Sequence, residues 1–155
     1  MLDAVSEGWR RSWIRRGEGV AGGKAFYDTN VLIAFLFKEQ DRFEESREIL
    51  AKHMSRASSI IALHEIYYYA LKLGVVDKFL AIKSRLGELV KTEGVTEDIC
   101  YAASELRMKY KLPEIDSLIL STAISLHYPI FYTYDADFMK INGKRINNTL
   151  IKHLG

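Results

Sequence analysis

Four acidic side chains stand at the mouths of apolar segments: Asp28 in FYDTNVLIAF, Glu65 in IALHEIYYYAL, Asp116 in EIDSLILSTAI and Asp135 in IFYTYDADF. Carboxylates gathered at one place repel each other and resist ionising together, so a fold that collects several usually does so around a divalent cation. Hard oxygen donors favour Mg²⁺ or Mn²⁺ over zinc or copper. One such ion lowers the pKa of a bound water and makes it a nucleophile, so no side-chain nucleophile is required. The chain offers no Ser-His-Asp or Cys-His arrangement in its place. Cys100, the only cysteine, lies within ICYAASEL, an apolar helical pattern, and reads as a structural thiol. His64 adjoins Glu65 but points about 100° away on a helix, and His127 lies roughly 16 Å beyond Asp116 along a helix axis.

Each acid also has a plainer explanation. Asp28 suits a strand end or helix cap, Asp116 a helix dipole, and Asp135 a turn. Glu65 is harder to dismiss, because it lies among Ile66, Tyr67, Tyr69 and Leu71, and an acid in so apolar a setting needs a partner. Asp137 and Glu114, each two residues from a principal acid, read as supports of the site at best.

The elements that must position these acids alternate between α and β. The run 24–28 suits a buried parallel strand, followed by a helix over about 30–38. Asp41, with Glu44 in capping-box spacing, opens a helix that fades near His53. A short polar strand at 56–59 leads to a helix capped by Ser58 or Ser59 and ended by Gly74. A helix over 76–90, an extended link at 91–95 and a helix over 96–110 opened by Thr96 come next. An apolar helix over 114–126 should be largely buried. Pro129 introduces a strand at 130–134, a turn falls at Asn142-Gly143, and 148–154 reads as a last edge strand. This is an α/β chain with a central parallel sheet of four to five strands between helical layers. Ligands of such sheets bind beyond the carboxyl ends of the strands, where Asp28 and Asp135 fall. If the first and fourth strands are neighbours, Asp116 and Glu65 converge on the same edge.

With 155 residues, 48% hydrophobic and 27% charged, the composition is that of a soluble globular protein with one core rather than a disordered chain. The net charge of +2 neither demands nor excludes a polyanionic partner. The single cysteine excludes an internal disulfide and a cysteine-based zinc site, and it fits a reduced cytoplasmic location. The longest apolar run, 31–37, is too short to span a bilayer, so no membrane role is expected. Residues 1–23 differ from the rest: WRRSWIRR and then GEGVAGG read as a basic tail and a linker. Such an arm either contacts RNA phosphates and bases or is an extension without function, including one created by a start codon placed too early.

The order and wording of these segments resemble the PIN-domain nucleases, and most closely the small VapC-type toxin ribonucleases of toxin–antitoxin pairs. The resemblance covers roughly residues 24–152 and rests on YDTNVLI, the Ser-Ser segment before Glu65, IDSLILSTA and TYDADF. It implies a three-layer α/β/α PIN domain over 24–155, with Asp28, Glu65, Asp116 and Asp135 as catalytic metal ligands for Mg²⁺ or Mn²⁺. Asn30 and Thr133 match polar positions around that site, and Asp137 stands beside it. Implied partners are an RNA substrate, a cognate antitoxin and a second copy of the chain, whose surface the run Tyr67-Tyr68-Tyr69 suits. Lys38, Lys111, Lys140, Lys144 and Arg145 are candidates to steer the RNA backbone. The chain departs from the family pattern in its leader, in its polar second strand, and in Tyr128-Pro129, where a glycine-containing turn is common. Two other functions remain in view. One is a catalytically idle PIN-like RNA-binding module in an RNA-processing or ribosome-associated complex. The other is a domain using Asp28 as a phosphoacceptor, for which Asp28-Thr29-Asn30 lacks the second aspartate.

Overall fold

The computed structural model of the chain describes residues 23–155; the basic segment of the leader lies outside them. Strand β1 (Lys24–Tyr27) leads into α1 (Thr29–Leu36) and α2 (Phe43–Ala51). Strand β2 (Ser55–Ser59) is followed by α3 (Ile61–Leu73), a 3₁₀ turn at Val76–Lys78 and α4 (Phe79–Leu89). Strand β3 (Lys91–Glu93) precedes α5 (Glu97–Tyr110) and α6 (Glu114–Ser125). Strand β4 (Ile130–Thr133), a 3₁₀ helix (Ala136–Ile141), β5 (Arg145–Ile146) and β6 (Thr149–His153) complete the chain.

The sheet has six strands in the order β3-β2-β1-β4-β6-β5, parallel throughout except for β5 against β6. The extended link at 91–95 contributes β3, which pairs with Ala57, Ser58 and Ser59. The last strand, β6, is not at the edge, because Arg145 and Ile146 fold back on it beyond the Asn142-Gly143 turn. These two short strands take the sheet beyond the four or five that the sequence predicts.

A parallel sheet is covered on both faces, so its strands are buried on both sides rather than alternating with polar residues. Ala25 and Tyr27 pack with Val31, Leu32, Phe35, Ile66 and Leu86 under one helical layer. Phe26, between them in sequence, points the other way to Leu120, Ala123, Phe131 and Phe138. The polar β2 is held by bonds that replace apolar contacts. Ser58 Oγ donates to Tyr27 O at 2.7 Å, while Arg56 donates to the carbonyls of Leu89 and His53 at 2.6 and 2.8 Å. A buried carbonyl without such a donor would cost about 1–3 kcal/mol.

The predicted capping box at Asp41 does not form. Helix α2 starts at Phe43 with Arg42 before it and no side-chain cap, and Glu39 O accepts from Phe43 N at 2.9 Å. Glu44 and Glu45 in the first turn supply the negative charge instead. The predicted serine cap of α3 is replaced by Ile60, which stands at the N-cap without a side-chain cap bond, while Ser59 Oγ one residue earlier accepts from Ile61 N at 3.1 Å; Gly74 ends that helix in the left-handed conformation at φ 70°. Cys100 is exposed on α5, so its apolar sequence neighbours misplace it as a core thiol.

Candidate metal centre

Two adjacent strands and one helix start build the site. β1 and β4 pair directly, so the residues just beyond them, Asp28 and Asp135, emerge side by side. Asp28 remains tied to the sheet, its N–H donating to Tyr132 O at 2.9 Å, with an extended backbone that makes it the N-cap of α1. Its two carboxylate oxygens are separately engaged: Oδ1 accepts from Thr29 N at 2.8 Å, and Oδ2 accepts from the Thr133 hydroxyl at 2.7 Å. Thr133 Oγ1 in turn accepts from Asp135 N at 2.9 Å, so one hydroxyl fixes both acids. Asn30 Oδ1 accepts from Tyr134 N at 3.0 Å, pinning the start of α1 to the end of β4. Asp116 arrives from the first turn of α6, whose C-terminal half is buried against the sheet.

One carboxylate oxygen each from Asp28, Asp116 and Asp135 lie within 4.8 Å of one another. Gathering them has an electrostatic consequence. Burial above all pushes the Asp28 carboxyl up to about 7, opposed by its bond from Thr133 and reinforced by the charge of Glu65. Burial, followed by the charges of Asp28 and Asp135, pushes Asp116 up to about 8. A group of acids that cannot share their charge at neutral pH is one that a divalent cation would relieve. The donor set is all oxygen, and three carboxylates leave room for the waters that Mg²⁺ retains; the residues therefore fit Mg²⁺ or Mn²⁺.

Glu65 stands beside this group rather than in it. Its Oε1 accepts from the Thr29 hydroxyl at 2.7 Å, which makes Thr29 the link between Glu65 and Asp28. The sequence reading missed Thr29. The available signal was a hydroxyl at the first helical position directly after an acid. Asp137 lends its N–H to Asp135 Oδ1 at 2.9 Å. Glu114 turns to Arg107 at 3.9 Å, both side chains well exposed, and does not support the site. His64 and His127 are exposed.

A parallel α/β sheet with aspartates gathered beyond its central strands defines a class of domain whose ligand site lies at the carboxyl ends of the strands. The chain belongs to the PIN domain family, whose sequence model matches residues 25–144. No curated protein sequence matches it. Among solved structures it is similar to VapBC2 from Rickettsia felis bound to a promoter DNA fragment, with a TM-score of 0.64 and 21% identity over 84% of this chain and 98% of that one. A toxin–antitoxin complex from Klebsiella pneumoniae matches with a TM-score of 0.58 and 25% identity, covering 81% of this chain and 95% of that one. VapC20 of Mycobacterium tuberculosis, a toxin that cleaves the sarcin–ricin loop, matches at 0.63 and 19% identity over 75% and 93% of the two chains.

Proposed function

We propose that the chain is a divalent-metal-dependent endoribonuclease and the toxin of a toxin–antitoxin pair. The observation that carries the reading is the convergence of Asp28, Asp116 and Asp135 oxygens within 4.8 Å in a PIN domain. Its structural neighbours include toxin–antitoxin complexes and a toxin that cleaves RNA of the sarcin–ricin loop, which supports the same assignment. The cytoplasm, where RNA and an antitoxin would be met, is the proposed location. Among the described residues no helix is long and apolar enough to cross a membrane.

Asp28, Asp116 and Asp135 would hold the ion. When bound, it would supply an acidified water and neutralise charge on the phosphodiester oxygens. The chain's own groups do the rest. Thr133 and Thr29 hold Asp28 by both oxygens, so its carboxylate needs no reorientation when charge develops. Glu65, with one oxygen on Thr29, keeps the other for a water or for the ion. Asn30 keeps the backbone leading to Asp135 in register with α1.

The test is cleavage of a broad RNA panel by the full chain in Mg²⁺, Mn²⁺ or EDTA, with Asp28→Asn and Asp116→Asn as folded controls. Cleavage with metal alone, lost in both variants, is the expected result. Active variants would remove the proposed site, and no cleavage by the parent with either metal would remove the nuclease. RNA binding that persists in EDTA without turnover would favour the idle-module alternative.

A further inference from the structure

Away from the carboxylates, lysines from separate elements converge on one ring. Lys109 and Lys144 place their ammonium groups 5.3 and 5.6 Å from the centroid of Tyr110. The first is on α5 and the second just precedes β5. Lys140, in the 3₁₀ helix, donates from Nζ to Lys111 O at 2.8 Å. Lys111 is held in the left-handed conformation, φ 56°, as the C-cap of α5. All four lysines are exposed, and Tyr110 is half-buried against the core.

A local explanation covers only half of this. Lys109 and Lys111 sit at the carboxyl end of α5, where cations complement the helix dipole. Lys140 and Lys144 belong to other elements and gain nothing from that dipole. Among the described residues none of the four has a carboxylate within ion-pair distance, although Glu105 lies one turn before Lys109. The Lys109 and Lys144 ammonium groups share the Tyr110 ring without a carboxylate between them, and like charges so placed raise the local potential, which an anion would relieve. The patch is also aimed. Lys111 leads through Pro113 into the turn of α6 that carries Asp116, and Lys140 lies in the 3₁₀ helix capped by Asp135. The Lys140–Lys111 bond thus joins the two arms that deliver two of the three clustered acids. Beside Tyr110 a cavity of about 190 Å³ opens between α5, α6 and the β5–β6 turn, edged by Glu105, Lys109, Ser121 and Asn147.

We propose that Lys109, Lys111, Lys140 and Lys144 form an RNA-backbone anchor, organised on Tyr110, that holds the strand flanking the phosphodiester to be cut. This rests on the nuclease reading and adds where the substrate lies. A single strand has evenly spaced phosphates that ammonium groups can follow, and its binding falls with salt in proportion to the phosphates neutralised.

The probe is a fluorescein-labelled oligouridylate, bound to the full chain in EDTA and followed by anisotropy across a KCl series. Lys109→Gln/Lys144→Gln should weaken binding by about tenfold or more and lower the salt slope by about 1.4, the value for two lost contacts on a single strand. Lys109→Arg/Lys144→Arg should restore both, and Lys52→Gln/Lys83→Gln, on other faces, should change neither. In Mn²⁺ the Gln pair should raise KM with kcat retained. Affinity and slope equal to those of the parent would overturn the anchor, as would a parent that binds no oligouridylate. Competition by polyglutamate at the patch, without RNA binding there, would make it a protein-docking surface and overturn it too. If the parent cleaves RNA while the Gln pair behaves like it, only the anchor fails; if the parent neither binds nor cleaves, the nuclease reading fails with it.

Discussion

Thr133 is the side chain on which the acid arrangement turns, because its single hydroxyl donates to Asp28 and accepts from the backbone of Asp135. Thr133→Val removes both bonds at nearly constant volume. Groups that orient metal ligands are typically worth 10–100-fold in metal affinity or activity, so a loss of about that size is expected in Mn²⁺ calorimetry and in cleavage, with Thr133→Ser recovering most of it. The same acids make stability depend on pH. Asp28 and Asp116 are pushed up from 3.8 to about 7 and about 8 in the folded chain, so it retains protons that the unfolded chain releases. Their contribution is complete below about pH 4 and drains away as pH rises through 7 and 8. In EDTA the urea midpoint should therefore fall between pH 5 and pH 8. Mn²⁺ at pH 8 should raise it again, since the ion binds the folded carboxylates, and Asp28→Asn should flatten the fall. A midpoint that climbs over this interval without metal would contradict the cluster.

At the scale of elements, β2 is the informative case. Its sequence, SRASS, is too polar to announce a buried strand, yet it lies between β1 and β3. Arg56 makes this possible by donating to the carbonyls of Leu50, His53 and Leu89, at the ends of α2 and α4. Arg56→Gln should cost about 2–4 kcal/mol in urea unfolding, because several carbonyls lose a charged donor at once. A change below about 0.5 kcal/mol would show that water replaces it. The strands with strong apolar runs, β1 and β4, were legible in the sequence, as were the helix stops at Gly74 and before Pro113. β3 and β5 were not: three residues, KTE, and two, RI, are too short to carry a period. The Asp41 cap failed because a turn stabilised by Glu39 O outcompeted a side-chain bond that the sequence could only suggest.

For the molecule as a whole, the convergence of Asp28, Asp116 and Asp135 was legible because chain topology fixes where strand ends go and β1 pairs with β4, whereas Glu65, expected in the same group, stands beside it on Thr29. Contacts between distant segments were not, since neither the Thr29–Glu65 bond nor the Lys140–Lys111 bond leaves a mark in local pattern. The two apolar layers share β1, with Tyr27 in one and Phe26 in the other, so neither can come apart while the other stays whole. Far-ultraviolet dichroism and near-ultraviolet tyrosine signals should accordingly melt together, and two separated transitions would refute that coupling. The sheet margins bear on how copies meet in a crowded cell. One margin is the three-residue β3, where Lys91 pairs with Glu93 at 3.0 Å, and the other is the two-residue β5 beginning at Arg145. Neither offers a long bare ladder for a foreign strand to join, so fibril seeding by edge addition is blocked at both ends of the sheet.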